Sequence, residues 1–320
     1  MATVTNYSGA TGGAASANTA VTGGTKGHRS DRARSEEHLG WMLAGPALFV
    51  MLAVTAYPMG RAVYQSLFSY RITAPDEREF IGLKNYVTVL TDSLWWTDVG
   101  TTVFITVVTV GVELVIGFAF ASVMHRLIFG RRTVRTAILL PYGIITVVSA
   151  FAWRYAFDLD TGFVNSWFNL EEYAWFSHRG SAIAVIILAE IWKTTPFISL
   201  LLLAGLAQVP AELGEAAKVD GASWWQRLTK VTLPNMKAAI MVALLFRTLD
   251  AYRIFDTVFV TTNGAEDTET VSFLAYRQVI GRTAIGLGSA VSVLLFLTVL
   301  LIAVVFVKGF KTDLSQVRGD

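Results

Sequence analysis

Six long apolar blocks constrain this chain more than any other feature of it. They lie at about 41–60, 99–124, 136–153, 181–206, 238–262 and 283–307. The first, third and sixth are uncharged. The second holds one acid, Glu113, the fourth holds Glu190, Lys193 and Pro196, and the fifth carries several charges. About 20 apolar residues make a helix that crosses roughly 30 Å of hydrocarbon, and a soluble core has no use for several such blocks. Only 16% of the residues are charged, against about 25% in soluble domains. The expectation is an all-α polytopic membrane protein with six transmembrane helices, its first partner the lipid membrane.

The net charge is +2 and the bases sit between apolar blocks rather than on one face, which argues against a nucleic-acid partner. The chain has no cysteine, which excludes disulfides, thiol catalysis and thiolate metal sites. We expect no metal or cofactor in this chain. Residues 1–38 are rich in Gly, Ala, Thr, Ser and Asn and cannot bury enough apolar surface to offset the entropy of ordering. They lack the basic start and apolar core of a secretory signal. They read as a disordered cytoplasmic tail, ending in the bases His28, Arg29, Arg32 and Arg34; a partner-binding arm is the other reading.

Lys and Arg in short loops mark the cytoplasmic side. The loop after the second block holds Arg126, Arg131, Arg132 and Arg135 without an acid, and the chain ends in Lys308, Lys311 and Arg318. Six spans then place both termini in the cytoplasm, with acidic loops 158–179 and 263–282 outside. Loop 207–234 falls in the cytoplasm, and the protein in the cytoplasmic (plasma) membrane. Trp41, Trp95, Trp96 and Trp153, near block ends, suit interfacial anchors.

Loop 207–234 has legible local structure. Pro210 suits the first turn of a helix, residues 211–220 favour helix, and Gly221 is a natural helix stop, free to take positive φ. A second helical stretch puts Trp224, Trp225, Leu228 and Val231 on an apolar stripe, and Pro234 separates it from the fifth block. Such a stripe is buried either against the protein's own helices and lipid or in the groove of another subunit. The residues favour the second. Glu215-Ala216-Ala217, three residues, Gly221, nine residues, then Val231-x-Leu233-Pro234 resembles the EAA loop of binding-protein-dependent ABC importer permeases, with Val for Ile at one position. The resemblance runs over about 39–320 and implies the type I ABC importer permease fold. It also implies that Glu215, Ala216, Ala217, Asp220, Gly221, Leu233 and Pro234 form a coupling helix that contacts an ATPase subunit. The implied partners are a second homologous permease, two ATP-binding cassette subunits that use ATP and Mg, and an extracytoplasmic sugar-binding (lipo)protein. This chain has no G-x-x-x-x-G-K-[ST] phosphate loop, so it is expected not to be the enzyme.

In the fifth block Arg247, Asp250, Arg253 and Asp256 recur every three residues. Four charges cannot face lipid. One reading is an intrahelical ladder that serves packing alone. The other is a hydrophilic pathway in which these groups bond sugar hydroxyls and Tyr252 offers a ring face. With Thr262-Asn263-Gly264 after it, the stretch resembles carbohydrate-type permeases of the trehalose/maltose type, which adds Asn263 to the candidate pathway. Glu190 and Lys193 form either an internal ion pair or part of that pathway. Glu113 reads as a protonated or satisfied interior acid rather than a ligand site, and Pro196 is expected to kink its helix. The alternative function is a stand-alone ion-coupled secondary transporter titrating Asp250 or Glu113. Such a carrier needs no ATPase-docking helix and tends to contain paired repeats, which are not evident. For a membrane enzyme there is no phosphate loop, no HExxH and no convincing nucleophile with its base.

Overall fold

The structure is a computed structural model that describes residues 31–127, 130–170 and 173–309. By contact density the chain falls into two units, up to Tyr57 and from Pro58. Helix α1 (Asp31–Ser66) begins inside the predicted tail, so the expectation of disorder is corrected for 31–38; the rest of the tail lies outside the described residues. In the first unit Trp41, Leu43, Phe49, Val54 and Tyr57 are all exposed, the mark of a helix apolar all round that is made for lipid rather than water.

The second unit opens with a hairpin the sequence did not announce. Strands β1 (Phe68–Arg71) and β2 (Ala74–Phe80) pair antiparallel, and Arg78 lies over the rings of Tyr64, Phe68 and Tyr70. Then come α2 (Lys84–Thr91) and the long α3 (Ser93–Arg126), whose first turn is capped by Asp92 accepting from the Leu94 N–H. The predicted third span is not one helix. It is α4 (Arg131–Leu139), a 3-10 turn at Pro141–Gly143 and α5 (Thr146–Ala156). Pro141 ends the helical run by removing an N–H donor. Helix α6 (Val164–Phe168) leads to the long α7 (Arg179–Leu206), with Pro196 inside it.

Helix α7 packs along α3 in the most extensive helix contact of the unit. A glycine makes the approach: a Cβ on Gly117 would stand 2.2 Å from Ile198 Cγ2, and small residues are what let membrane helices close up. After α7 come α8 (Ala211–Val219), α9 (Trp224–Arg227), a π turn at Leu228–Thr232 and α10 (Leu233–Asn235). Pro234 sits in the first turn of α10, and the interruption falls at Met236, not at the proline. The predicted fifth span is also broken, into α11 (Lys237–Ala251) and α12 (Asp256–Thr261). Helices α13 (Val271–Tyr276) and α14 (Ile285–Gly309) complete the unit. Among the described residues four helices are long and apolar enough to cross a membrane: His38–Ser66, Ser93–Arg126, Arg179–Leu206 and Ile285–Gly309.

The segment 263–282, read as an external loop, packs its middle part against the protein while both its ends stay exposed. Thr268, Glu269 and Thr270 are buried. The Val271 N–H donates to Thr102 Oγ1 at 3.0 Å, and Arg179 Nε donates to the Asp267 carbonyl at 3.2 Å. Glu269 pairs with Arg277 at 2.8 Å. Burial pushes the Glu269 carboxyl up to about 7, with Arg277 and Arg282 opposing the rise.

Candidate functional site

The fifth-span charges do not form the predicted ladder. Only its first rung exists: Arg247 Nη1 meets Asp250 Oδ2 at 2.8 Å. Arg253 turns back to its own helix and donates to the Leu249 carbonyl at 3.2 Å. The stronger partners of Arg247 come from other helices. Its side chain is 1% exposed, and a buried guanidinium is tolerable only when paired and hydrogen-bonded. Nε donates to Glu113 Oε2 at 2.6 Å and Nη2 to Glu113 Oε1 at 3.1 Å, a bidentate fork across α11 and α3. Nη2 also reaches Glu190 Oε2 on α7 at 3.3 Å. Thr194 donates to Glu113, and Thr257 on α12 donates to Glu190. One arginine thus ties α3, α7, α11 and, through Thr257, α12 into a network.

Of the two expectations for Glu113, protonated or satisfied, its bonds from Arg247 and Thr194 fit the second, and no partner was foreseen for it. Sequence reasoning also offered an internal Glu190–Lys193 pair. Glu190 goes to Arg247 instead, and Lys193 Nζ lies 5.6 Å from the centre of the Tyr142 ring. The available signal was a mismatch: an acid alone in the second block needs a cation from elsewhere in the fold.

Above this network opens a polar cavity of about 440 Å³. Its walls include Tyr142, Glu190, Lys193, Asp250, Arg253, Phe255, Asp256 and Thr257. The break between α11 and α12 forms part of it. Tyr252 to Phe255 leave the α-helical pattern, with Arg253 N–H donating to the Asp250 carbonyl and Ile254 N–H to that of Ala251. Irregular backbone at membrane depth is tolerated where it is buried in protein or lines a cavity. Side chains from other segments take up backbone acceptors here. Thr270 Oγ1 donates to the Ile254 carbonyl within the break at 3.0 Å, and Arg154 Nη1 to that of Val260, farther along in α12, at 2.7 Å. The lining mixes carboxylates, an ammonium, a guanidinium, hydroxyls and aromatic faces. That set can donate to and accept from a neutral polyol along its whole surface.

The predicted pathway residues therefore separate. Asp250, Arg253 and Asp256 line the cavity, with Arg247 buried in the network below. Tyr252 is buried and is not among the residues that line the cavity. Asn263 stands exposed at positive φ in the turn after α12. Tyr142, Thr146 and Phe255 were not foreseen in the lining, because nothing local distinguishes them from ordinary apolar-block residues.

The loop 207–234 folds as its sequence suggests. Gly221 has φ +80°. The Ala222 N–H reaches the Ala217 carbonyl at 2.9 Å and the Gly221 N–H that of Lys218 at 3.1 Å, the paired bonds of a glycine helix stop. Ser223 and Gln226 then cap α9 reciprocally. Helix α8 buries none of its residues. Glu215, Ala216, Asp220 and Pro234 are exposed, Ala217 and Leu233 half-buried, and Val219 is 87% exposed. Of the predicted stripe, Leu228 and Val231 are half-buried and line a cavity; Trp224 stands at its edge with half its surface exposed, and Trp225 faces out.

Comparison with known proteins agrees with this arrangement. Residues 113–311 match the family described as "Binding-protein-dependent transport system inner membrane component". The chain is 50% identical over 284 residues to the trehalose transport system permease protein SugA of Mycobacterium tuberculosis, covering 88% of this chain and 92% of that one. It is 36% identical to the trehalose/maltose transport system permease protein MalF of Thermococcus litoralis, over 87% and 96% of the two chains. A chain of a bacterial alginate ABC transporter, crystallised with an alginate pentasaccharide-bound periplasmic protein, shares the fold. Its TM-score is 0.76 at 20% identity, covering 89% of this chain and 99% of that one.

Proposed function

The chain belongs to the binding-protein-dependent transport system inner membrane components, and on that premise we propose that it forms half of the translocation pathway of an ATP-binding-cassette importer for a sugar. The sugar is a disaccharide of the trehalose or maltose kind. The other half of the pathway is a second homologous permease. ATP and Mg are used by two ATPase subunits, and an extracytoplasmic binding protein delivers the solute. Both termini lie in the cytoplasm, as does loop 207–234. The family membership removes the reason for the ion-coupled alternative.

The observation that supports the coupling role is the state of α8: nine residues, none buried, with Glu215 and Ala216 facing out beside the Gly221 turn. A short helix with no buried side of its own gains its stability from packing elsewhere, and the groove of an ATPase subunit supplies that packing. Small Ala side chains let a helix approach closely, Gly221 sets the exit of the chain, and Glu215 pairs with a base of the partner. Closure of the partner then moves α11 and α7, which flank the loop, and through Arg247 the polar cavity with them.

For the substrate, the supporting observation is the cavity between α7 and the α11–α12 break. Asp250, Arg253, Asp256 and Lys193 offer acceptors and donors to hydroxyls, and Tyr142 and Phe255 offer ring faces to a pyranose. The test is ATP hydrolysis by the assembled, purified transporter with its binding protein, across trehalose, maltose, glucose and an amino-acid control. Stimulation by one disaccharide above the others supports the reading. Equal stimulation by the amino acid overturns the sugar assignment and leaves the coupling role standing.

A further inference from the structure

A second cavity, of about 380 Å³, lies beneath the α8–α9 loop. Its wall is mostly apolar, with Phe118 from α3, Leu206 and Val209 from the end of α7, and Leu228 and Val231 from the π turn. Its charged lining is all of one sign or neutral. His125 and Arg126 come from the last turn of α3 and Arg227 from α9, and no acid is among the lining residues. Arg227 Nε is buried and finds no acceptor among the described residues. A buried N–H left unmatched costs about 1–3 kcal/mol, so this one calls for an acceptor beyond those that the described residues bring. The first turn of α8 opens onto the same space at Pro210 and Ala211 without a side-chain cap.

The shape of the site selects among anions. From Arg126 back to Phe118 is eight helical residues, about 12 Å at the α-helical rise. That depth takes a phosphate headgroup and several methylenes. A free phosphate would satisfy Arg227 and leave the apolar wall unfilled. Basic cavities between membrane helices are also where anionic headgroups bind. We propose that this cavity binds an anionic glycerophospholipid. Its phosphodiester accepts from Arg227 and Arg126, and its acyl chain lies along Phe118, Leu206 and Leu228. The lipid braces the α8–α9 loop against the end of α3. The binding itself does not rest on the coupling reading given above; only its consequence for ATP hydrolysis does.

The test uses the complete transporter in phosphatidylcholine nanodiscs with and without phosphatidylglycerol. Native mass spectrometry reads the retained lipid, and ATP hydrolysis is read in parallel. About one phosphatidylglycerol should be retained per copy of this chain. Arg227→Gln and Arg126→Gln should each weaken retention about tenfold, as loss of a charge-assisted bond does. Leu228→Trp, which fills the cavity and keeps both bases, should expel the lipid as well. Inorganic phosphate should not displace it. The proposal is overturned if no phosphatidylglycerol is retained, if retention is unchanged in the variants, or if inorganic phosphate competes fully. It is equally overturned if the isolated chain holds the lipid and the complete complex does not, which would assign Arg227 to a carboxylate of the ATPase subunit. Should an arginine variant fail to assemble, the Leu228→Trp complex and a lipid titration of the native complex still decide the matter. A native complex that hydrolyses ATP in response to its binding protein yet retains no lipid separates failure of this proposal from failure of the coupling role.

Discussion

Arg247 is the residue on which most of the membrane interior depends. It neutralises Glu113 and shares Glu190 and Asp250, all through bonds of 2.6–3.3 Å. Removing one member of a buried ion network strands the others, at a cost of about 3–5 kcal/mol. We predict a loss of that size for Arg247→Met, read as the unfolding midpoint of the purified complex. Replacing Glu113 and Glu190 with Gln in the same chain should restore most of it, since the stranded charges are then gone. A titratable group outside the long helices behaves differently. Burial raises Glu269 to about 7, so the folded state holds that proton more tightly than the unfolded state. The resulting stability is complete below about pH 4.5 and is lost as pH rises through about 7. Asp98, Asp267, Arg277 and Arg282 surround the site electrostatically. Glu269→Gln should flatten the fall in thermal stability between about pH 5 and pH 8. An unchanged slope would place the titration elsewhere. At this scale the sequence was half legible. Charges in apolar blocks announced a polar interior, but their i, i+3 spacing offered local pairs that concealed the long-range ones. Arg247 and Asp250 do pair; Arg253 and Asp256 do not continue the series, because the helix ends at Ala251.

At the scale of elements, the reading succeeded where a turn has its own chemistry. Pro210 and Gly221 can both be read from their neighbours, and the α8–turn–α9 unit follows. It failed where a break is imposed from outside. Between Tyr252 and Phe255 there is neither Gly nor Pro, and the irregular backbone is supported by Thr270 from a distant segment, through the Ile254 carbonyl. The packed middle of 263–282 escaped notice for the same reason: acids such as Glu269 look solvated until their partner Arg277 is placed. Two predictions belong here. Gly221→Val puts a β-branched residue at φ +80°, a conformation that costs about 1–2 kcal/mol for L residues. Together with Glu215→Ala it should leave membrane insertion intact while abolishing uptake and freeing ATP hydrolysis from its dependence on the binding protein. Normal transport in both variants would remove the coupling role. Asp250→Asn and Arg253→Gln, at the exposed wall of the cavity, should reduce uptake with assembly preserved. A complex that fails to assemble would return these residues to packing.

At the scale of the whole molecule, the six apolar blocks were visible at once, because hydrophobicity is additive along the chain and needs no partner. What they build was less visible. Four blocks become helices long enough to span, and two are broken. The cavity they enclose depends on those breaks. Its roughly 440 Å³ stands, on the proposed function, for half of a passage that a second permease would complete. On the proposed function, solute movement through this half is driven by ATP hydrolysed in another chain. Proteoliposomes holding the complete transporter, with binding protein and labelled trehalose on the outer side, test it directly. Accumulation inside should require enclosed ATP, stop with Glu215→Ala, and be absent from vesicles that hold this chain alone under a proton or sodium gradient. Gradient-driven accumulation by the chain alone would contradict the account.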